Sequence, residues 1–293
     1  MTSGIVSVSA AYLYSSPDYE SSIETQELMG SVVEVTEADG YWLKITTSQP
    51  YTAWTTDLTV VQLSDKELSE YLKAPKYIVV SNISAVYQTP ETDSPQISDL
   101  VLGDILRISR ADDGTPLEEN GRLGVILPDG RSGWTPAGDL AEEKAFIKRV
   151  KRLSPQERVQ EVLRYALSMN GVPYLWGGMT PKGLDCSGLT RLCYLMAGEK
   201  LPRNASQQVK CGKEIPLNFD GQGRVNPANL LPGDLLFFSK TPVGNVSHVA
   251  IYLGEGKMIH SSQIVRINSI LKGDSDCYEH IERLSTARRI IHY

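Results

Sequence analysis

Residues 11–35 align with residues 84–108 at a constant shift of 73 positions. Tyr14 falls on Tyr87, Pro17 on Pro90, Gly30 on Gly103, Val33 on Leu106 and Val35 on Ile108. Further on, Trp42-Leu-Lys-Ile meets Leu123-Gly-Val-Ile, and Ala53-Trp54 meets Gly133-Trp134, with Leu58 or Leu140 shortly after. Two copies of one unit of roughly 60 residues explain this more economically than one large core. Within each copy, short alternating runs such as Val32-Val-Glu-Val-Thr and Asp104-Ile-Leu-Arg-Ile-Ser are broken by Gly, Pro, Asn and Asp. A period of two is what a half-buried strand requires, and many short strands with frequent turns point to a small antiparallel barrel.

The C-terminal half lacks this repeat. Asp65-Lys-Glu-Leu-Ser-Glu-Tyr-Leu-Lys, closed by Pro75, predicts a short helix between the copies, and a charged linker runs from Glu142 to Arg152. Ser154-Pro155-Gln156-Glu157 then supplies an N-cap, a proline at the first helical position and a capping-box glutamate. Val159, Val162, Leu163, Ala166 and Leu167 recur at helical spacing, so a helix of about four turns opens a third domain. The expected divisions are 1–63 and 77–142 for the barrels, 64–76 for a helical linker and 143–293 for the third domain.

Chemistry concentrates between Gly171 and Tyr194. Glycines and prolines dominate up to Leu184, after which Leu189, Leu192 and Met196 mark a helical stripe ending at Gly198. Cys186 therefore opens a helix, where the positive end of the dipole is expected to stabilise its thiolate. An isolated cysteine is as a rule a small buried hydrophobe, the reading adopted for Cys193, while Cys211 and Cys277 have no special setting. The four cysteines include no CxxC pair, which argues against structural zinc, and a chain this long buries a core without disulfides. Free thiols fit a reducing compartment.

A nucleophilic thiol needs a base, and there are four histidines. His280 and His292 lie in a charged segment and near the C-terminus, and are expected to be solvated. Val246-Ser-His-Val-Ala-Ile-Tyr-Leu-Gly alternates like a strand, Gly254-Glu-Gly256 makes a turn, and Lys257-Met-Ile-His260-Ser returns. A three-residue turn with Gly256 left-handed would set His260 opposite Ala250 and make His248 and His260 diagonal neighbours, about 7–8 Å apart. A two-residue turn would place them on opposite faces. Spacing alone leaves a catalytic pair and a pair of satisfied structural histidines equally open.

Tyr174-Leu-Trp-Gly-Gly, Leu184-Asp-Cys-Ser-Gly-Leu, Leu201-Pro-Arg, Leu231-Pro-Gly-Asp-Leu-Leu-Phe-Phe, Ser247-His-Val-Ala-Ile-Tyr-Leu-Gly and Ile259-His-Ser follow one another in this order. Together they resemble the NlpC family of papain-like bacterial cell-wall cysteine peptidases. The repeated units resemble the SH3-like domains that accompany such enzymes. With both parts in line the chain is similar to the γ-D-glutamyl-L-diamino acid endopeptidases, or dipeptidyl-peptidase VI group, which cut murein stem peptides. The resemblance implies that Cys186 attacks the γ-amide carbonyl, His248 is general base and then acid, and His260 orients His248. It places Tyr174 near the oxyanion and Trp176 at the groove wall, although both also read as packing around a glycine turn. Asp185 and Ser187 would hold the N-terminal side of the substrate, and Asp185 also reads as a helix cap. Asp234 reads as a turn residue.

One departure stands out. After Leu201-Pro-Arg203 the group usually has Asp-Ser, whereas this chain has Asn204-Ala205, and a neutral amide attracts an ammonium group less than a carboxylate. The resemblance implies a tyrosine and an acid from the first barrel at the substrate amine. Tyr51 is the choice for the first and Glu27, ahead of Glu24, for the second; a solvated glutamate is the plainer reading of either.

The expectation is an α+β protein: two SH3-like β-barrels, then a papain-like domain with its nucleophile helix packed on an antiparallel sheet. It would release L-Ala-D-Glu from peptidoglycan tri- or tetrapeptides with a free N-terminal L-Ala, with no metal or cofactor, as a monomer. An endopeptidase remodelling intact wall, a non-catalytic wall-binding protein and a thiol acyltransferase are the competing readings. The net charge of −6 provides no overall field for nucleic acid, and no run of 18 apolar residues suggests membrane insertion. Met1-Thr-Ser-Gly-Ile-Val-Ser shows no basic-then-apolar leader, so the chain as written is expected in the cytoplasm. One trimmed of a signal peptide would read the same and act in the periplasm or outside.

Overall fold

Alternating burial builds the repeated units: in strand β4 (Val32–Asp39), Val33 and Val35 are buried and Glu34 is exposed. The computed structural model describes residues 2–48, 51–240 and 245–292 and falls into two compact units, Met1–Arg149 and Val150–Tyr293. In the first, β1 (Thr2–Val6), β2 (Ala10–Tyr14), β3 (Ile23–Leu28), β4, β5 (Trp42–Thr47), β6 (Thr52–Thr56) and β7 (Val60–Leu63) form one antiparallel sheet. Helix α1 (Asp65–Lys73) follows, opened by a capping box between Ser64 and Glu67. A second sheet contains β8 (Lys76–Val79), β9 (Ile83–Tyr87), β10 (Gln96–Val101), β11 (Ile105–Ile108), β12 (Glu118–Glu119), β13 (Arg122–Ile126), β14 (Ser132–Pro136) and β15 (Leu140–Glu142).

The repeat is visible in register. Tyr14 pairs with Trp54 in one sheet and Tyr87 with Trp134 in the other. Gly30 and Gly103 both adopt left-handed backbone, with φ of 85° and 92°, in equivalent turns. Val33 and Val35 lie in the first core, Leu106 and Ile108 in the second. These β-rich modules fit the SH3-like expectation, but they share one unit because they interlock. Met29 of the first is packed in the core of the second, its N–H donates to Asp104 Oδ1 at 3.0 Å and its carbonyl accepts from Ile105 N–H. Asp104 also accepts from Val101 N–H at 2.8 Å and is fully buried, which holds its pKa well above the usual carboxylate range. Asp104→Ala orphans two N–H groups and is expected to lower the stability of the N-terminal unit by about 2 kcal/mol. A urea midpoint for that unit within error of wild type would remove this role.

Helix α2 (Glu143–Arg152) contains the boundary between the units, with residues 143–149 in the first of them. Helix α3 (Pro155–Ser168) then begins at the capping box of Ser154 and Glu157. After it come the short pair β16 (Met179–Thr180) and β17 (Gly183–Leu184), helix α4 (Cys186–Met196) and the single turn α5 (Ala205–Gln208). The six-stranded sheet of this unit uses β18 (Lys213–Ile215), β21 (Leu235–Ser239), β22 (Val246–Gly254), β23 (Lys257–Ser262), β24 (Ile264–Ser269) and β25 (Leu284–Arg289). A small ladder, β19 (Asn218–Phe219) with β20 (Val225–Asn226), stands apart. Strand β21 is buried at every residue, as an uninterrupted Leu-Leu-Phe-Phe run requires, and lies between β25 and β22. Leu236, Phe238, Ala250, Tyr252, Met258 and Ala287 make a core on the sheet, and α4 packs on β22. Asp234 caps its turn through Leu231 N–H and pairs with Arg289 at 2.8 Å.

Candidate active site

Cys186 is the first residue of α4, and the segment before it is shaped by close backbone contacts. A Cβ on Gly188 would lie 2.0 Å from the Gly178 carbonyl oxygen, and one on Gly178 would lie 2.4 Å from that of Gly183. Gly178 and Gly188 are thus steric requirements for seating the helix start on the loop, and Gly177 before them is left-handed with φ of 78°. Asp185 is the N-cap: Oδ1 accepts from Gly188 N–H at 2.7 Å, and Oδ2 accepts from Gly177 N–H at 3.1 Å. Arg203, buried with 3% exposure, donates to both carboxylate oxygens of Asp185 and to Ser187 Oγ at 3.0 Å. Gln208 donates to the Ser187 and Pro202 carbonyls and accepts from Thr190 Oγ1. The loop, the nucleophile helix and the segment after Leu201 are fixed to one another by this buried network.

The base arrives on β22. The Val249 N–H, next along the chain from His248, donates to the Cys186 sulfur, which sets the thiol beside this strand. His248 Nε2 and His260 Nδ1 are 2.8 Å apart, with ring centroids at 5.0 Å. The turn behind this pair differs from the three-residue expectation. Gly254 pairs with Lys257 across a two-residue turn in which Glu255 and Gly256 have φ of 50° and 75°. A bulge between Tyr252 and Gly254 adds one residue to β22, and beyond it Tyr252 pairs with Met258 and Ile251 with Ile259. The extra residue offsets the shorter turn, so the histidines still meet on one face. Ser261 Oγ donates to the Leu184 carbonyl at 2.7 Å, tying β23 to the nucleophile loop. Phe238 and Tyr278 pack around the imidazoles, and His260 is fully buried.

Burial reverses the electrostatic expectation for the thiol. Desolvation first, and the Asp185 carboxylate second, push the Cys186 thiol up to about 12, outweighing the Val249 N–H and Arg203. The cap that starts the helix is itself an anion beside the sulfur, so the dipole does not prevail. Burial also lowers both imidazoles, with His260 opposing a second charge on His248. The resting pair is therefore neutral thiol and neutral imidazole, and the proton moves only as sulfur attacks. Activity needs unprotonated His248, so a lowered imidazole pKa extends activity downward: the acid limb of kcat/KM is expected below pH 6.5, the usual histidine value. Iodoacetamide at pH 6 should label Cys186 more slowly than a free thiol. Fast labelling with a limb above 6.5 would mean a preformed thiolate and imidazolium.

The remaining expected residues are placed as follows. Tyr174 is half-buried, close enough to Cys186 and Asp185 that burial and their charge raise its hydroxyl to about 12, and it is therefore a neutral donor. Trp176 is 66% exposed, a surface ring rather than packing for the loop. Ser187 and Asp185 are buried and already bonded to Arg203. Asn204 is the N-cap of α5 and Ala205 begins it, with Asn204 N–H donating to Gln207 Oε1. In the N-terminal unit, Tyr51 donates to Glu24 Oε2 at 2.8 Å, while Glu27 accepts from Ser31 Oγ and Leu28 N–H in its own turn. The structure thus brings Tyr51 to Glu24, the acid ranked second, and not to Glu27. Sequence reasoning missed the roles of Arg203 and Gln208, and missed Asn268, whose Oδ1 lies 2.9 Å from His260 Nε2. Arg203 carried a faint signal as a cation inside an apolar motif; Asn268 carried none until β24 was in register.

Residues 171–280 match the NlpC/P60 family. The "Dipeptidyl-peptidase 6" of Lysinibacillus sphaericus is 29% identical over 282 residues, covering 91% of this chain and 91% of its own length. The "Gamma-D-glutamyl-L-lysine dipeptidyl-peptidase" of Bacillus cereus is 27% identical over 280 residues, 92% of this chain and 75% of its own. The crystal structure of an NlpC/P60 family protein from Bacillus cereus has the same fold, with a TM-score of 0.79, 22% identity, and 99% and 100% of the two chains covered. Its likeness extends through the β-rich N-terminal unit, and the family match contains Cys186, His248 and His260. Residues 171–280 of this α+β chain are an NlpC/P60 domain.

Proposed function

We propose that the protein is a cysteine peptidase that cuts the bond between the γ-carboxyl of D-glutamate and a diamino acid in peptidoglycan stem peptides. The observation that carries this is Cys186 at a helix start beside a hydrogen-bonded imidazole pair. The name of the Bacillus cereus relative, a gamma-D-glutamyl-L-lysine dipeptidyl-peptidase, supports this bond class, and that of the Lysinibacillus sphaericus relative supports a dipeptidyl-peptidase. His248 takes the thiol proton as sulfur bonds to the carbonyl carbon. The tetrahedral intermediate collapses, the amine leaves with that proton, and a thioester remains. Water, giving its proton to His248, then attacks the thioester; the acid is released and the thiol restored. The Cys186 N–H, at the first helical position, has no intrahelical acceptor, and with the Tyr174 hydroxyl it suits an oxyanion; one such donor is worth about 2.7–4 kcal/mol.

The finer reading is a substrate with a free N-terminal L-Ala, released as L-Ala-D-Glu during cytoplasmic murein recycling by a monomeric enzyme. It is supported by the full-length similarity to relatives named dipeptidyl-peptidases. Asn204 in place of a carboxylate lessens the charge available for the ammonium group at that position. The test compares L-Ala-γ-D-Glu-meso-diaminopimelate and its L-Lys counterpart with the same peptides N-acylated by a muramyl group. Cleavage of the free-amine peptides alone is expected. Equal cleavage of blocked and free peptides would make it a wall-remodelling enzyme.

A further inference from the structure

Asn268 lies outside every motif that identifies the site, yet it ends a directed chain of hydrogen bonds. Its Nδ2 donates to the Asp276 carbonyl at 2.8 Å. A backbone carbonyl only accepts, so this bond fixes the amide orientation and turns Oδ1 toward His260 Nε2, 2.9 Å away. Oδ1 also only accepts, so His260 carries its proton on Nε2. A neutral His260 then has a bare Nδ1, which must accept at 2.8 Å from Nε2–H of His248. His248, also neutral, is left with its lone pair on Nδ1.

We propose that Asn268 is a positioning residue that selects the tautomer of both histidines and so leaves Nδ1 of His248 as the basic nitrogen. Without its acceptor, His260 is free to protonate on Nδ1, which then donates to His248 and drives the His248 proton onto Nδ1. That tautomer has no lone pair for the thiol. The loop ending at Tyr278 holds the other end of the chain: Lys257 Nζ pairs with Asp276 at 2.9 Å, and Ser269 N–H donates to the same Asp276 carbonyl at 3.0 Å. The charged and titratable groups around the pair are Arg266 and Glu279, 3.7 Å apart, His280, Tyr278 and Cys186. Among the described residues it is Asn268 Oδ1 that meets His260 Nε2.

The test uses the full-length protein labelled with 15N-histidine, whose spectra distinguish a protonated from a bare ring nitrogen without any substrate. Wild type is expected to show the Nε2–H form for His248 and His260, and Asn268→Leu a shift of His260 toward Nδ1–H. Nδ1–H on His248 in wild type, or an unchanged pattern in Asn268→Leu, would overturn the proposal. The kinetic arm rests on the peptidase reading. There Asn268→Leu should lower kcat about 10- to 100-fold with KM nearly unchanged, on the scale seen when the outer partner of a metal-bound histidine is removed. Asn268→Asp keeps an acceptor for His260 but loses the donor to the Asp276 carbonyl, so near neutral pH it should retain clearly more of kcat than Asn268→Leu. Its carboxylate also favours the protonated pair, so the acid limb should move to higher pH. Equal losses in both variants, with unchanged thermal unfolding, would assign Asn268 a purely structural role. Should the protein prove inactive on murein peptides, the spectra still decide the tautomer.

Discussion

Cys186→Ala is expected to lower kcat on a γ-D-glutamyl peptide by about a million-fold, the scale seen when a catalytic nucleophile is removed from a triad. The thiol is the group placed to form the acyl intermediate: it begins α4, accepts from Val249 N–H and sits beside the bonded imidazoles. Removing one buried sulfur leaves a small void and breaks neither the Asp185 cap nor the Arg203 pair, so the far-UV spectrum and melting temperature should change little. His248→Ala should be nearly as damaging, because a thiol held near 12 has no thiolate at neutral pH and depends on its base. Assay by mass spectrometry over hours resolves the difference, and turnover retained in Cys186→Ala would remove the nucleophile assignment.

Arg203→Ala should destabilise the C-terminal unit by about 3–5 kcal/mol, because it leaves the carboxylate of Asp185 buried without its cation. Asp185 is 8% exposed, and three further donors, from Gly177, Gly188 and Ser187, meet its oxygens. Those donors remain in the variant, but they are dipoles and do not replace a bidentate guanidinium. The chain has two units, so the unfolding signal must report on the C-terminal one, for example by hydrogen exchange of the amides in α4. The double variant Asp185→Asn with Arg203→Leu removes both charges and should recover part of the loss. A cost below about 1 kcal/mol for Arg203→Ala would mean that the pair is solvated.

Much of this site was legible in the sequence because it depends on local pattern. The capping box at Ser154, the glycines around Cys186 and the strand through His248 are each decided within a few residues, and all are seen in the structure. The repeat was legible for the same reason, since Tyr14 with Trp54 and Tyr87 with Trp134 restate one pairing twice. What failed depended on tertiary context. The turn at Glu255-Gly256 has two residues, and only a bulge one residue earlier, invisible to spacing arguments, keeps His248 and His260 together. The thiol was expected to be acidified by its helix, but the balance turned on how deeply Cys186 is buried and on the Asp185 cap. Glu24 and Glu27 differ by three positions, and only the strand register shows which one bonds Tyr51.

The most direct measurement is hydrolysis of L-Ala-γ-D-Glu-L-Lys by the wild-type protein in water enriched in 18O, with products and the quenched enzyme analysed by mass spectrometry. The expected result is L-Ala-D-Glu carrying one 18O in its γ-carboxyl, free lysine, and a dipeptidyl adduct on the peptide containing Cys186. Release of free L-Ala with the γ-bond intact, or γ-cleavage with no adduct and full activity in Cys186→Ala, would contradict the assignment.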